Sequence, residues 1–421
     1  MNTSASCVFT AKIGLDWADA KHDFCLQPGG GGKREFGRFL HQPDQIDAWA
    51  QGLKARFGGT IAVALELAKG PIVYALQKYD FIVLFPVDPS LLAKYRVAFK
   101  PSRAKDDPTD AELALELMLR YPEHCQPLHP QSVGMRTLSY LVQQRRVLVD
   151  DRKRTVNRLC YALKQYFPQA LDWFEDRDTP LFCDFLTRWP TLQQVKRTRA
   201  TTLERFFHEH NVRREHLVAR RVEGVKSAIP LTDDVAVIQS FQLLATTLVD
   251  QLRALLRSIV RFDEEIALVA PKLPDYKLFS ALPGSGPIFA PRLLTAFGEQ
   301  RERFQNAGQV QRYSGVAPVT QRSGKKSWVH WRWQCSAFVR QTFVEWAAQT
   351  INKSFWAGAF YQQQRAKGCP HQVAVRALAF KWIRILYRCW VTHAPYDESR
   401  YLKALQLRGS PLLAGLSTKA A

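Results

Sequence analysis

Asp16, Glu66, Asp107 and Asp110 are the residues of this chain whose types and spacing most directly suggest chemistry. Asp16 ends one apolar strand pattern and Glu66 ends another, while Asp107 and Asp110 sit three apart at a helix start. Carboxylates from two strand ends plus a pair on one helical face make a set of hard oxygen ligands suited to Mg²⁺. Two such ions, roughly 3.5–4 Å apart, can clamp the attacking and leaving oxygens of a phosphodiester. All four are therefore expected as metal ligands and catalytic residues, acting on nucleic acid.

Each acid also has an ordinary reading. Either strand-end residue alone is compatible with a plain surface acid. In Lys105-Asp-Asp-Pro-Thr-Asp-Ala111, Asp107 can cap a helix, Pro108 can open it, and Asp110 can be the third-position acid of a capping box. The capping and ligand readings are compatible, because a helix start points both carboxylates the same way. Asp19, Asp23, Asp106 and Glu112 read as solvated positions.

A second candidate lies far along the chain, in Gln321-Arg-Ser-Gly-Lys-Lys326. Ser323 is a poor nucleophile unless a base or a positive field helps it ionise. Gly324 allows close approach, and Arg322, Lys325 and Lys326 would stabilise a phosphorane-like state. A serine in a basic loop with no such role is the alternative. Trp328, Trp331, Arg332 and Trp333 follow and could stack bases and grip phosphates. Core packing of at least two of the tryptophans is the reading favoured here. Upstream, Leu282-Pro-Gly-Ser-Gly-Pro287 looks like a helix-hairpin-helix, in which Gly284 and Gly286 let backbone N–H groups reach a DNA phosphate. A plain turn between packed helices is the alternative.

The elements that must position these residues follow from periodicity. Strands are expected at Val8–Asp16, Lys21–Leu26, Glu35–Leu40, Thr60–Glu66 and Phe81–Val87, with helices at Pro43–Phe57, Pro71–Lys78 and from Ser90. Three strands followed by alternating helices and strands suit an RNase H-like (resolvase-like) α/β domain over residues 1–130. The Gly29–Gly32 run lacks the Gly-Lys-Ser/Thr ending of a phosphate loop and reads as a turn. Strand alternation puts Asp16 on the face of Lys12 and Gly14, and Glu66 on that of Ala62 and Ala64, both with small neighbours.

Residues 131–276 read as helical. Steps of three and four from Ile238 give Phe241, Ala245, Leu248, Leu252, Leu255, Ile259, Phe262 and Ile266, the seam of a coiled coil. Pairing with a second chain is expected, with packing on Leu138–Phe167 of the same chain as the alternative. An α-rich domain occupies 277–421.

The net charge is +21, and residues 281–421 hold 20 Lys/Arg against 5 Asp/Glu, a net of +15. That imbalance favours a phosphate backbone as partner through counterion release. Hydrophobic content of 46% excludes a mainly disordered chain. No run reaches the roughly 18 uninterrupted apolar residues of a membrane span, and no signal peptide is expected. The eight cysteines are scattered without a Cys-x-x-Cys, which fits a reducing cytoplasm and no zinc site.

Taken in order, these motifs resemble the DEDD transposases of bacterial insertion sequences, understood as bridge-RNA-guided serine recombinases. Ile-Gly-Leu-Asp16, Ala-Leu-Glu66 and Asp107-Pro-Thr-Asp110-Ala are similar to that family's acidic motifs. Leu-Pro-Gly-Ser-Gly286, Gly315-Val-Ala-Pro318 with Ser323-Gly324, and Pro395-Tyr-Asp-Glu-Ser-Arg400 are similar to its C-terminal transposase domain. Asp106 in place of the usual Thr, Leu-Ala-Lys-Gly after Glu66, a longer helical middle and the tryptophan-rich segment depart from it. The resemblance implies a Mg²⁺-dependent recombinase with Ser323 as nucleophile. It also implies a guide RNA pairing with donor and target DNA, and a homo-oligomer, dimeric and tetrameric when active. The rival reading is a resolvase-like nuclease using metal and water, with Ser323 structural.

Overall fold

The computed structural model describes residues 9–99, 107–324 and 326–413. The chain divides into two compact units, Met1–Pro130 and Gln131–Ala421.

In the first unit, alternating apolar and polar residues build β1 (Ala11–Trp17), β2 (Lys21–Pro28) and β3 (Glu35–Leu40) as an antiparallel meander. Helix α1 (Pro43–Phe57) starts on a proline at its first turn and stops at Gly58, whose left-handed φ of 66° closes the helix end. Then come β4 (Ile61–Leu65), α2 (Pro71–Leu76), β5 (Ile82–Pro86), α3 (Pro89–Phe99) and α4 (Asp107–Arg120). β4 and β5 run parallel to β1, giving the sheet order β3-β2-β1-β4-β5. This mixed sheet fits the RNase H-like expectation; β2 to β5 fall within two residues of the boundaries expected from alternation, and β1 starts at Ala11 rather than at Val8, which lies outside the described residues.

The two sheet faces bury different things. Ile13, Leu15, Ile61, Val63 and Leu65 join Ile46, Ala50, Ile72 and Val73 of α1 and α2 in one core. Cys25, Ala62 and Ala64 join Ala111, Ala114 and Leu115 of α4 in the other. Small residues dominate this second face because α4 lies almost on the sheet. A Cβ at Gly14 would fall on the Ala111 carbonyl oxygen, with the Leu115 amide next nearest.

The second unit is built on two long helices, α5 (Val133–Tyr166) and α11 (Val235–Val269). Ser132 caps the first by accepting from the Met135 amide, and Asp234 caps the second by accepting from Ala236 and Val237. Between them lie α6 (Gln169–Trp173), α7 (Pro180–Arg188), α8 (Leu192–Lys196), α9 (Ala200–Glu209) and α10 (Glu215–Ser227). After α11 come α12 (Tyr276–Ser280), α13 (Gly286–Phe297), α14 (Ala307–Tyr313) and the hairpin β6 (Val319–Ser323) and β7 (Lys326–His330). Helices α15 (Ala337–Thr350), α16 (Phe355–Ala366), α17 (His371–Thr392) and α18 (Glu398–Leu407) follow.

The α5–α11 pair is antiparallel and carries a core at each end. Leu159 and Leu163 of α5 meet Ala245, Leu248 and Leu252 of α11 in a core shared with α6–α10. Met135, Leu138 and Val142 meet Ile266 in a core shared with the C-terminal helices. Arg145 pairs with Asp263 between them, Nη2 to Oδ2 at 2.8 Å. This arrangement corrects two expectations. The seam of α11 is not kept for a second chain: Leu248 and Leu252 are fully buried inside their own. Nor does the chain break near 276, because the start of α5 and the end of α11 supply part of the C-terminal core. By length and hydropathy alone Val235–Lys272 could span a membrane, but its leucine seam is this internal contact.

Two substitutions test these contacts. Leu252→Asp should unfold the α5–α11 core, lowering stability by about 4 kcal/mol or more because an unpaired charge enters a filled core. A change of mass in light scattering with the helical circular dichroism intact would contradict the intrachain packing. Gly14→Ala should destabilise the first unit by about 1–3 kcal/mol, since only backbone could give way, read as earlier proteolysis of residues 1–130 on heating.

Candidate functional site

The register of the sheet places the strand-end acids. Gly14 pairs with Ala64 and Leu15 with Leu65 across β1 and β4; Asp16 is the next residue of β1, and Glu66 follows the end of β4. Alternation within β1 points Asp16 toward the α4 side, with Gly14. Asp107 opens α4, and its side chain lies outside the described residues. Asp110 sits in the first turn of α4, next to the Ala111 that touches Gly14, and is 3% exposed. Asp16 and Asp110 thus both belong to the α4 side of the sheet, and Glu66 stands at the end of the neighbouring strand.

Two partners of these acids were not foreseen. Asp110 faces Arg96 of α3, Oδ1 to Nη2 at 2.6 Å, yet this buried oxygen receives no aligned hydrogen bond. A close cation offsets its charge. Asp23 lies directly across β2 from Asp16 and, contrary to its reading as solvated, is 4% exposed. Lys21 at 3.3 Å and Arg38 at 3.4 Å compensate its charge, so it is already paired. Glu112 is likewise held, accepting from Arg34 at 2.8 Å. The one-residue alternation Lys21–Asp23 was the signal for a same-face pair; Arg96 gave none.

Among the described residues, no three His, Cys, Asp or Glu side chains are gathered closely enough to hold a metal ion. The donor chemistry nonetheless fits a hard cation, since Asp16, Glu66 and Asp110 offer carboxylate oxygens and the buried Asp110 oxygen lacks a directed donor.

The second unit holds the other predicted residues. Ser323 is not in an irregular loop but ends β6 at the tip of a two-residue hairpin, and it is exposed. Gly324 takes φ 55°, a conformation the tight turn needs and a side chain would resist. Ser323 pairs across the hairpin with Lys326, and the alternation puts Gln321 and Trp328 on the same face, joined by a Trp328 Nε1 to Gln321 hydrogen bond of 3.0 Å. Arg322 is exposed on the opposite face; Lys325 lies outside the described residues.

The tryptophans divide differently from expectation. Trp328 is 41% and Trp333 79% exposed, so neither fills a core. Trp331 alone packs, with the guanidinium of Arg376 3.4 Å from its ring centroid and that of Arg340 at 4.9 Å. Arg332 donates to the Ala317 carbonyl at 3.3 Å and ties the hairpin base to the Gly315–Pro318 segment. The Leu282–Pro287 segment does connect two helices, α12 and α13, with φ 68° at Gly284 and 50° at Gly286. Gly284 is spoken for internally: a Cβ there would crowd Gln349 at 3.2 Å, whereas Gly286 has open space.

Comparison with known proteins agrees with both units. A family model of DEDD transposases, described as "Transposase", matches residues 13–168, and one described as "Transposase IS116/IS110/IS902 family" matches residues 276–362. The "Mini-circle putative transposase for IS117" of Streptomyces coelicolor is 28% identical over 405 residues, 93% of this chain and 96% of that protein. The chain belongs to the DEDD transposase family of insertion sequences. It is an enzyme acting on DNA. The "Insertion element IS116 uncharacterized 44.8 kDa protein" of Streptomyces clavuligerus is 25% identical, covering 80% of this chain and 81% of its own length. In this transposase the helices α6–α10 lie between the two matched regions.

Arg96→Met should cost the first unit about 3 kcal/mol, because it leaves the buried Asp110 carboxylate without its cation. Urea unfolding followed by proteolysis of residues 1–130 reads this. A loss below roughly 1 kcal/mol would mean that Arg96 does not sustain the charge.

Proposed function

We propose that this transposase is a recombinase that cuts and rejoins DNA through a covalent bond between Ser323 and a DNA phosphate. The observation that carries this reading is an unhindered serine at a hairpin tip, with Arg322 before it and Lys326 across from it. In the step, Ser323 Oγ attacks phosphorus, and the new Oγ–P bond forms as one P–O bond of the strand breaks. The Oγ proton passes to base or solvent, and the departing strand oxygen takes up a proton. Attack by the hydroxyl of another strand end reverses the step and frees the serine. Lys326, across the hairpin from Ser323, offsets the charge that grows on the non-bridging oxygens.

Asp16, Glu66, Asp107 and Asp110 are the proposed ligands of Mg²⁺. When bound there, the ion supplies Lewis-acid stabilisation of phosphate charge. Arg96 stands against Asp110 at 2.6 Å. The net charge of +15 over residues 281–421 supports donor and target DNA as partners of the second unit. Gly286, Lys325, Lys326, Trp331 and Arg332 are its proposed contacts, alongside Gly284 in the turn. A guide RNA and a homo-oligomer complete the proposal on the family resemblance. The oligomer must form through surfaces other than the buried seam of α11.

A second reading, a resolvase-like nuclease using metal and water, is favoured by the carboxylates of the RNase H-like sheet. One experiment separates the two. Ser323→Ala removes an exposed oxygen and should leave folding and DNA binding unchanged. It should abolish strand exchange and any protein–DNA adduct that survives denaturing electrophoresis. Asp16→Asn should lose strand exchange through its ligand role. An adduct that persists in Ser323→Ala would establish the nuclease reading instead.

A further inference from the structure

Beneath the β6–β7 hairpin lies a cavity of ≈ 620 Å³, within the range of pockets that enclose a small organic ligand. The Gly315–Pro318 segment and the hairpin base form one wall, and a face of α17 forms the other. Its charge is one-sided. Arg332, Arg376, Lys381 and Arg384 line it, and no Asp or Glu does. None of these four cations has a carboxylate partner among the described residues. Like charges gathered on a partly desolvated wall repel one another, and such an array persists when an anion completes it. Burial, aided for Arg376 by neighbouring Arg340, weakens the hold of Arg376 and Lys381 on their protons, so both cations pay for their position.

The remaining lining is flat and aromatic. Trp331 stacks on Arg376 at 3.4 Å, and Phe360 lies under the Lys381 ammonium at 4.7 Å. Buried nitrogens of both Trp331 (Nε1) and Arg376 (Nε) lack hydrogen-bond partners behind this wall. A phosphate alone would satisfy the cations and leave the aromatic floor unused. A base alone would leave the cations uncompensated.

We propose that this cavity binds one unstacked nucleotide of a nucleic-acid strand, the base beside Trp331 and Phe360 and the phosphate at Lys381 and Arg384. The proposal rests on the reading that the second unit handles a strand near Ser323, but it needs no covalent chemistry. Pulling one nucleotide out of its stack next to the hairpin would fix the strand's register, because only one phosphate can then stand at the hairpin tip.

The test is photocrosslinking of the full chain to single-stranded oligonucleotides carrying 5-iodo-deoxyuridine at successive positions, with the adduct mapped by mass spectrometry. A parallel RNA series carries 5-iodouridine. One position should crosslink to Trp331 or Phe360, and Arg384→Ala and Lys381→Met should each weaken that crosslink about tenfold. Both variants change side chains at the cavity wall, and an unchanged thermal melt establishes that they fold. Crosslinking by DNA alone assigns the nucleotide to a substrate strand, and by RNA alone to a guide strand; either supports the pocket. Crosslinks confined to the exposed Trp328 and Trp333, or unaffected by both variants, would overturn it. Equal competition by inorganic phosphate and by a nucleoside monophosphate would reduce the cavity to a simple anion site and overturn it as well. Because Ser323→Ala should keep the crosslink, failure of the serine mechanism and failure of this pocket read out separately.

Discussion

The contact between α4 and the sheet at Gly14 sets the geometry on which the first unit depends. Two backbones approach there without a side chain between them, which is possible only where the strand carries glycine and its neighbours carry alanine. That closeness brings the start of α4 onto the same side as Asp16. A larger residue at position 14 would lift the helix and carry Asp110 away with it. The acidic edge is thus a product of small side chains as much as of acids. Its charge is kept tolerable by cations placed around it, with Lys21 and Arg38 on Asp23 and Arg96 on Asp110.

The second unit solves a different problem. Helices of 34 and 35 residues bury one stripe against each other and need other helices to cover what remains. The chain covers them from both ends, with α6–α10 on one half and the C-terminal helices on the other. This leaves the β6–β7 hairpin exposed on a helical platform rather than packed into it. An exposed hairpin can offer Ser323 and its cations to a strand, while the base of the hairpin is held by Trp331, Arg332 and Arg376.

Charge is distributed to match. The first unit carries acids at its strand ends, and the wall beneath the hairpin of the second carries cations with no Asp or Glu beside them.

The sequence by itself determined the strands of the first unit, the acids at their ends and the long seam-bearing helix of the second, because alternation and heptad spacing are local signals. It also carried the family's motifs in order, which the comparisons bear out. It did not determine what α11 packs against, since an apolar seam has the same spacing whether its partner is the same chain or another. Nor did it expose the pairing of Arg96 with Asp110 or of Arg38 with Asp23, which join residues from separate elements. Core packing of at least two of Trp328, Trp331 and Trp333 is the sequence expectation, yet Trp328 and Trp333 are exposed, because an aromatic side chain signals burial only on average. On α17, Arg376, Phe380 and Arg384 recur at four-residue spacing, a visible stripe whose meaning depended on the hairpin folded over it. Only tertiary structure brings that hairpin and that helix together, and a cavity has no local sequence signature.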